Sequence, residues 1–259
     1  MGLHHVEPVM GTMISMHIVD SDDADVIDEL VAWFHHVDAV FSPYKPDSEI
    51  SRIGRGELVA DDIEPGNPVS DELHEVLTRC DELLDETRGI FDVWALPSPN
   101  GTRFDPCGYV KGWSVQRAAD MLDARGVRSF LINAGGDVVV RGEHPHARPW
   151  RVGIRHPDSA TSVALVLNAL GSLAVATSGS YERGAHIVDP RTGHPSTATA
   201  SATVVGPKLA DADAYATTLA VMGVDGLLWL TEREGYCGCV ITPDGTLFTT
   251  DEFNQFVAH

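Results

Sequence analysis

The chain has 259 residues, with 38 acidic side chains against 18 basic ones, giving a formal charge of −20 at pH 7. Hydrophobic residues at 43% and charged residues at 22% are a globular composition, which excludes the disordered class. The acidic balance disfavours nucleic acid and anionic lipid as partners, because the mean field repels phosphate.

Thr12 to Asp20 alternates, with Ile14, Met16 and Ile18 on one side, and predicts a strand. Asp22 to Val40 carries Val26, Leu30, Trp33, Phe34 and Val37 at helical spacing, and Asp71 to Thr87 repeats the pattern with Leu73, Val76, Leu77, Cys80 and Leu84. Residues 95 to 108 are rich in Pro, Gly, Ser and Asn and predict a loop, followed by a helix over Lys111 to Arg125. Strands are expected at Ser129–Ile132, Val138–Arg141, Trp150–His156, Val163–Leu167, Leu173–Thr177 and Ala202–Val205. Helices follow over Ala210–Met222 and Asp225–Arg233, and a hairpin over Tyr236–Thr249 closes the chain. Helices grouped between runs of strands predict α+β with a mixed, largely antiparallel sheet rather than a doubly wound domain. With no composition shift along the chain, residues 1–259 read as a single domain.

No run reaches the ~20 uninterrupted apolar residues of a membrane helix. The start, Met1 to Pro8, shows neither a signal peptide nor a lipobox, so the expected location is the cytoplasm, without membrane insertion. Cys80, Cys107, Cys237 and Cys239 read as reduced thiols, since Cys237-Gly-Cys239 is too tight for the usual zinc spacing.

Four clusters carry chemistry. In Phe104-Asp105-Pro106-Cys107-Gly108-Tyr109-Val110-Lys111-Gly112 a carboxylate and an ammonium flank a turn into a helix. Free N–H groups there suit phosphate, Lys111 adds a point charge, and Asp105 suits a base or ribose; an Asp–Lys surface pair is the plainer alternative. Asn133-Ala-Gly-Gly-Asp137 lies between strands, either as a ligand-approached backbone or as a tight β-connection, and it is not a dinucleotide fingerprint. Between Ala176 and Gly193 hydroxyls, a Tyr, an Arg and His186 converge on strand ends. There His186 is a general base or a structural histidine bonded to backbone. Asp213 and Thr217 stand four apart on one helix face, offering two oxygens to Mg2+. Alternatively Asp211 or Asp213 caps the helix, and loss of Asp213 would then leave the fold near wild type.

In order, these segments resemble the ApbE family, the FAD:protein FMN transferases. The resemblance runs from Met10-Gly11-Thr12 through Phe41-Ser-Pro-Tyr44 and Ser48-Glu-Ile50 to Asp105…Lys111-Gly112. It continues in Asn133-Ala-Gly-Gly-Asp137, Thr177-Ser-Gly…His186-Ile-Val-Asp-Pro190 and Ala212-Asp213-Ala214…Thr217. Cys107 and Ala216 depart from the usual pattern. The resemblance implies two interlocked lobes around a flavin cleft, with FAD as donor and Mg2+ as cofactor. A Thr or Ser hydroxyl of a target flavoprotein would be the acceptor, with AMP released. It implies FAD contacts at Met10, Tyr44, Asp105, Lys111 and the Ile187/Val188 backbone. The metal ligands would be Gly108 through its carbonyl, Asp213 and Thr217, with His186 as base and Lys111 assisting. An FAD pyrophosphatase giving FMN and AMP, or a non-catalytic flavin-binding protein, would use the same residues.

Overall fold

The chain opens with a hairpin whose turn is forced by its backbone. Strand β1 (Leu3–Val9) pairs with β2 (Thr12–Ile18), and the two residues between them, Met10 and Gly11, both take positive φ, 54° and 69°. Primed two-residue turns require that conformation. The alternation of β2 holds, with Ile14, Met16 and Ile18 fully buried. This computed structural model describes residues 2–59, 69–95, 103–144, 148–169, 171–179 and 187–258.

The remaining strands are β3 (Phe130–Ala134), β4 (Asp137–Arg141), β5 (Trp150–His156), β6 (Ser159–Ala169), β7 (Leu173–Gly179), β8 (Val188–Asp189), β9 (His194–Pro195), β10 (Ser201–Gly206), β11 (Cys237–Ile241) and β12 (Leu247–Thr249). Eight form one sheet in the order β1-β2-β3-β4-β7-β10-β11-β12, while β5 pairs with β6 and β8 with β9. Every pairing among the described residues is antiparallel, so the expected mixed sheet is antiparallel throughout.

The α-helices among the described residues are α1 (Asp25–Phe41), α2 (Glu49–Gly54), α3 (Asp71–Glu86), α4 (Cys107–Ala124), α5 (Leu209–Met222) and α6 (Gly226–Thr231), with 3-10 turns at Gly223–Asp225 and Asp251–Phe256. On one face of the sheet, Phe34, Leu122 and Leu219 from α1, α4 and α5 join Ile14, Ile132, Val139 and Val204 in one core. On the other face, Trp150, Val152 and Leu167 of the β5–β6 hairpin and Phe253 cover Val138, Val140, Val175 and Cys239. The central strands are thus covered on both sides, which is why their sequences are near-continuous apolar runs. The stretch Leu209–Thr231 is long and apolar enough by composition alone to cross a membrane, yet most of it is buried within this fold.

The short helix α2 and its neighbour α3 are tied by their caps. Ser48 and Ser70 each accept the N–H of the third residue on, at 3.2 Å, and Glu49 in turn accepts the Ser70 N–H at 2.9 Å.

Burial also sets a pH limit. The thiols of Cys80, Cys237 and Cys239 are each pushed up to about 12 by removal from water, and burial raises the hydroxyls of Tyr109, Tyr215 and Tyr236 as well. Their neutral forms are the ones the fold accepts, so their contribution to stability is fully present below the unfolded thiol value of about 8.5. It falls as pH rises toward 12. The urea midpoint should therefore drop steadily above about pH 9, and a flat alkaline profile would contradict the burial of these groups.

Candidate functional site

Helix α4 begins four residues earlier than its sequence pattern suggests, because Pro106 sits at the N-cap, where a missing N–H costs nothing. Asp105 Oδ1 accepts the Cys107 N–H at 2.9 Å and closes the helix start. One turn on, Lys111 forms an ion pair with Asp137, and its Nζ also lies 3.9 Å from Asp213 Oδ1. The Asp105–Lys111 surface pair is therefore not what forms. Asp105 serves the helix end, and Lys111 serves two buried carboxylates.

Asp137 comes from the glycine turn. Gly135 and Gly136, at φ 60° and 108°, join β3 to β4 with Ala134 opposite Asp137, so the segment is a tight β-connection. Its product is a fully buried carboxylate that also accepts the Thr177 N–H at 3.0 Å. Asp137 stood in the sequence motif without a role of its own, and only the strand register reveals it.

Helix α5 supplies the third part. Its N-cap is Lys208, without a side-chain cap bond, so neither Asp211 nor Asp213 caps it. Asp211 pairs with Arg79 at 2.9 Å and accepts the Tyr236 hydroxyl at 3.2 Å. Asp213, 2% exposed, accepts the Gly112 N–H through Oδ2 at 2.9 Å. In a regular helix that N–H meets the Gly108 carbonyl, so its donation to Asp213 weakens its claim on that oxygen. Thr217, one turn beyond Asp213, shares a hydrogen bond with Ser178 at 3.2 Å.

These parts line one cavity of about 500 Å³, a size typical of small-molecule sites. Met10, Tyr44, Asp105, Gly108, Lys111, Val188, Asp213 and Thr217 all border it. His186 lies outside the described residues. Val37, Phe41, Phe91 and Val110 add an apolar wall, a role that the sequence motifs assign to none of them. Tyr44 stands 79% exposed at the rim. Met10, in the left-handed region, holds a conformation that costs a side chain about 1 kcal/mol or more. Among the described lining residues four carboxylates, Asp38, Asp92, Asp105 and Asp213, face one cation, Lys111. No group of three or more His, Cys, Asp or Glu side chains is placed for a metal ion among the described residues.

The ApbE family model matches residues 10–98 and 95–241. The chain belongs to the ApbE family. A FAD:protein FMN transferase of Rhodobacter capsulatus is 38% identical over 159 residues, 58% of this chain and 30% of that protein. The one from Haemophilus influenzae is 25% identical over 311 residues, 95% of this chain and 88% of its own length. Within the first match the chain thus spans less than a third of its relative. Among solved structures, flavin transferase ApbE from Vibrio cholerae superposes with a TM-score of 0.84 over 99% of both chains at 24% identity, which establishes the ApbE fold.

Proposed function

We propose that this chain transfers FMN from FAD to a Thr or Ser hydroxyl of an acceptor flavoprotein, releasing AMP, with Mg2+ as cofactor. The observation that carries the reading is the convergence of eight motif residues, from separate parts of the sequence, on one cavity. Membership of the ApbE family supports the same chemistry.

The donor set suits Mg2+. A carboxylate (Asp213), a hydroxyl (Thr217) and a backbone carbonyl (Gly108) are hard oxygen ligands, and Mg2+ characteristically takes one or two carboxylates with waters and phosphates completing its shell. When bound, the ion supplies positive charge to a pyrophosphate and stabilises the transition state. Among the described lining residues four carboxylates stand against one ammonium, and an anionic substrate needs that added charge.

In the transfer, the acceptor hydroxyl oxygen bonds to the phosphorus of the FMN half, and the bond from that phosphorus to the AMP oxygen breaks. The hydroxyl proton goes to His186 as base, and AMP leaves with the bonding pair. Lys111 binds the phosphate charge, Asp105 and the Ile187/Val188 backbone hold the flavin nucleotide, and Tyr44 and Met10 border the ring system.

Incubation with FAD, Mg2+ and a flavoprotein acceptor should give a covalent fluorescent band on a denaturing gel. Absence of a band with every cellular acceptor would overturn the proposal, and FMN and AMP accumulating without acceptor would replace it by a pyrophosphatase. His186→Ala should slow transfer more than it weakens FAD binding; equal losses would assign His186 a structural role.

A further inference from the structure

Lys111 is flanked by two carboxylates that it does not treat alike. Asp137 is fully buried, accepts the Thr177 N–H through Oδ1 at 3.0 Å, and forms the close ion pair with Lys111 through Oδ2. Asp213 engages the Gly112 N–H with Oδ2, and its Oδ1 lies 3.9 Å from the ammonium, beyond hydrogen-bond length. A buried carboxylate demands a charged or hydrogen-bonding partner. The β-turn at Gly135-Gly136 therefore brings in a counter-ion that competes with Asp213 for the same ammonium.

We infer that Asp137 is a positioning residue that holds Lys111 away from Asp213, so that Asp213 serves a divalent cation instead of the ammonium. An ammonium seated on Asp213 would neutralise the carboxylate's charge and occupy the oxygen a cation needs. Among the described residues, Asp213 is the other carboxylate within 4.0 Å of the Lys111 ammonium, and a shift of about one ångström brings the pair from 3.9 Å into contact. Asp137 thus acts on metal affinity through Lys111. The inference rests on the reading of Asp213 as a metal ligand.

The test uses the full chain and Mn2+ as the probe, with free Mn2+ followed by electron paramagnetic resonance. Asp137→Asn keeps the side chain's shape and the oxygen that accepts from Thr177. It should bind Mn2+ about tenfold more weakly than wild type, the usual scale for residues behind a metal ligand. The double variant Asp137→Asn/Lys111→Met removes both charges, and its Mn2+ affinity should return to near the wild-type value. Folded Asp137→Asn with wild-type affinity would overturn the positioning role alone. A double variant that stays tenfold weak, or that fails to fold, would also overturn it, since Asp137 would then act independently of Lys111. If Asp137→Asn does not fold while the double variant folds and binds Mn2+ normally, the pairing role stands. Wild-type protein that takes up no Mn2+ would overturn both this inference and the metal reading beneath it.

Discussion

Replacing Asp213 by asparagine should abolish FMN transfer while leaving the melting temperature nearly unchanged, and Asp213→Ala should abolish transfer and also destabilise the fold. From sequence alone, Asp213 is a metal-ligand candidate whose structural part is at most a helix cap, a loss the fold tolerates. In the structure it is a buried residue in the interior of α5 that bonds across to α4. Asparagine keeps an oxygen for the Gly112 N–H but loses the charge that the proposed Mg2+ site requires. Alanine also removes the charge-assisted hydrogen bond that ties α4 to α5, a contribution of about 2 kcal/mol. For a chain of this size that lowers the melting temperature by roughly 4–8 °C. Thermal melts beside the gel assay separate the two effects. Full transfer by Asp213→Asn would remove Asp213 from the proposed metal site.

The contrast shows where sequence reasoning reaches its limit. The helices α1 and α3 were legible because their inward faces repeat at helical spacing over four turns or more. Strand β1 was not, because its more buried face is Leu3, His5, Glu7 and Val9, half of it polar. Those polar groups satisfy one another: Glu7 accepts from His5 at 3.0 Å and from His35 of α1 at 2.8 Å. Hydropathy cannot register a polar face that is paired internally. Helix α2, six residues long, is too short for any periodicity to show.

The site divides in the same way. Asp105, Lys111, Asp213 and Thr217 were legible because their local spacing or their ordered motifs have chemical meaning before folding. Asp137 was not, because its role depends on the register that sets it opposite Ala134 and beside Thr177. Likewise the apolar wall of Val37, Phe41, Phe91 and Val110 comes from separated segments that look like ordinary core in sequence. Proximity across the sheet and between helices is a tertiary fact, and local pattern carries no trace of it.

Gly112→Ala is the other substitution with a large expected effect, and here two contributions of opposite sign compete. Alanine inside a helix is intrinsically favoured over glycine by about 1 kcal/mol, so in an isolated α4 the change would stabilise. In this fold, however, a Cβ at residue 112 would stand 2.7 Å from Asp213 Cβ, 2.7 Å from the Leu209 carbonyl oxygen and 3.1 Å from Asp213 Oδ2. Two of those neighbours are fixed to the α5 backbone and cannot swing aside as a long side chain would. Relief requires α4 and α5 to separate, an overpacking cost of about 1–3 kcal/mol that matches or exceeds the helical gain. The separation also carries the Gly108 carbonyl and Lys111 on one helix away from Asp213 and Thr217 on the other. A displacement of about 1 Å in such a constellation lowers turnover by roughly a hundredfold. The expected variant is folded, no more stable than wild type and slower in FMN transfer by about that factor, with its Mn2+ affinity reduced in parallel. A Gly112→Ala protein that melts higher and transfers at the wild-type rate would show that the two helices do not need their close approach.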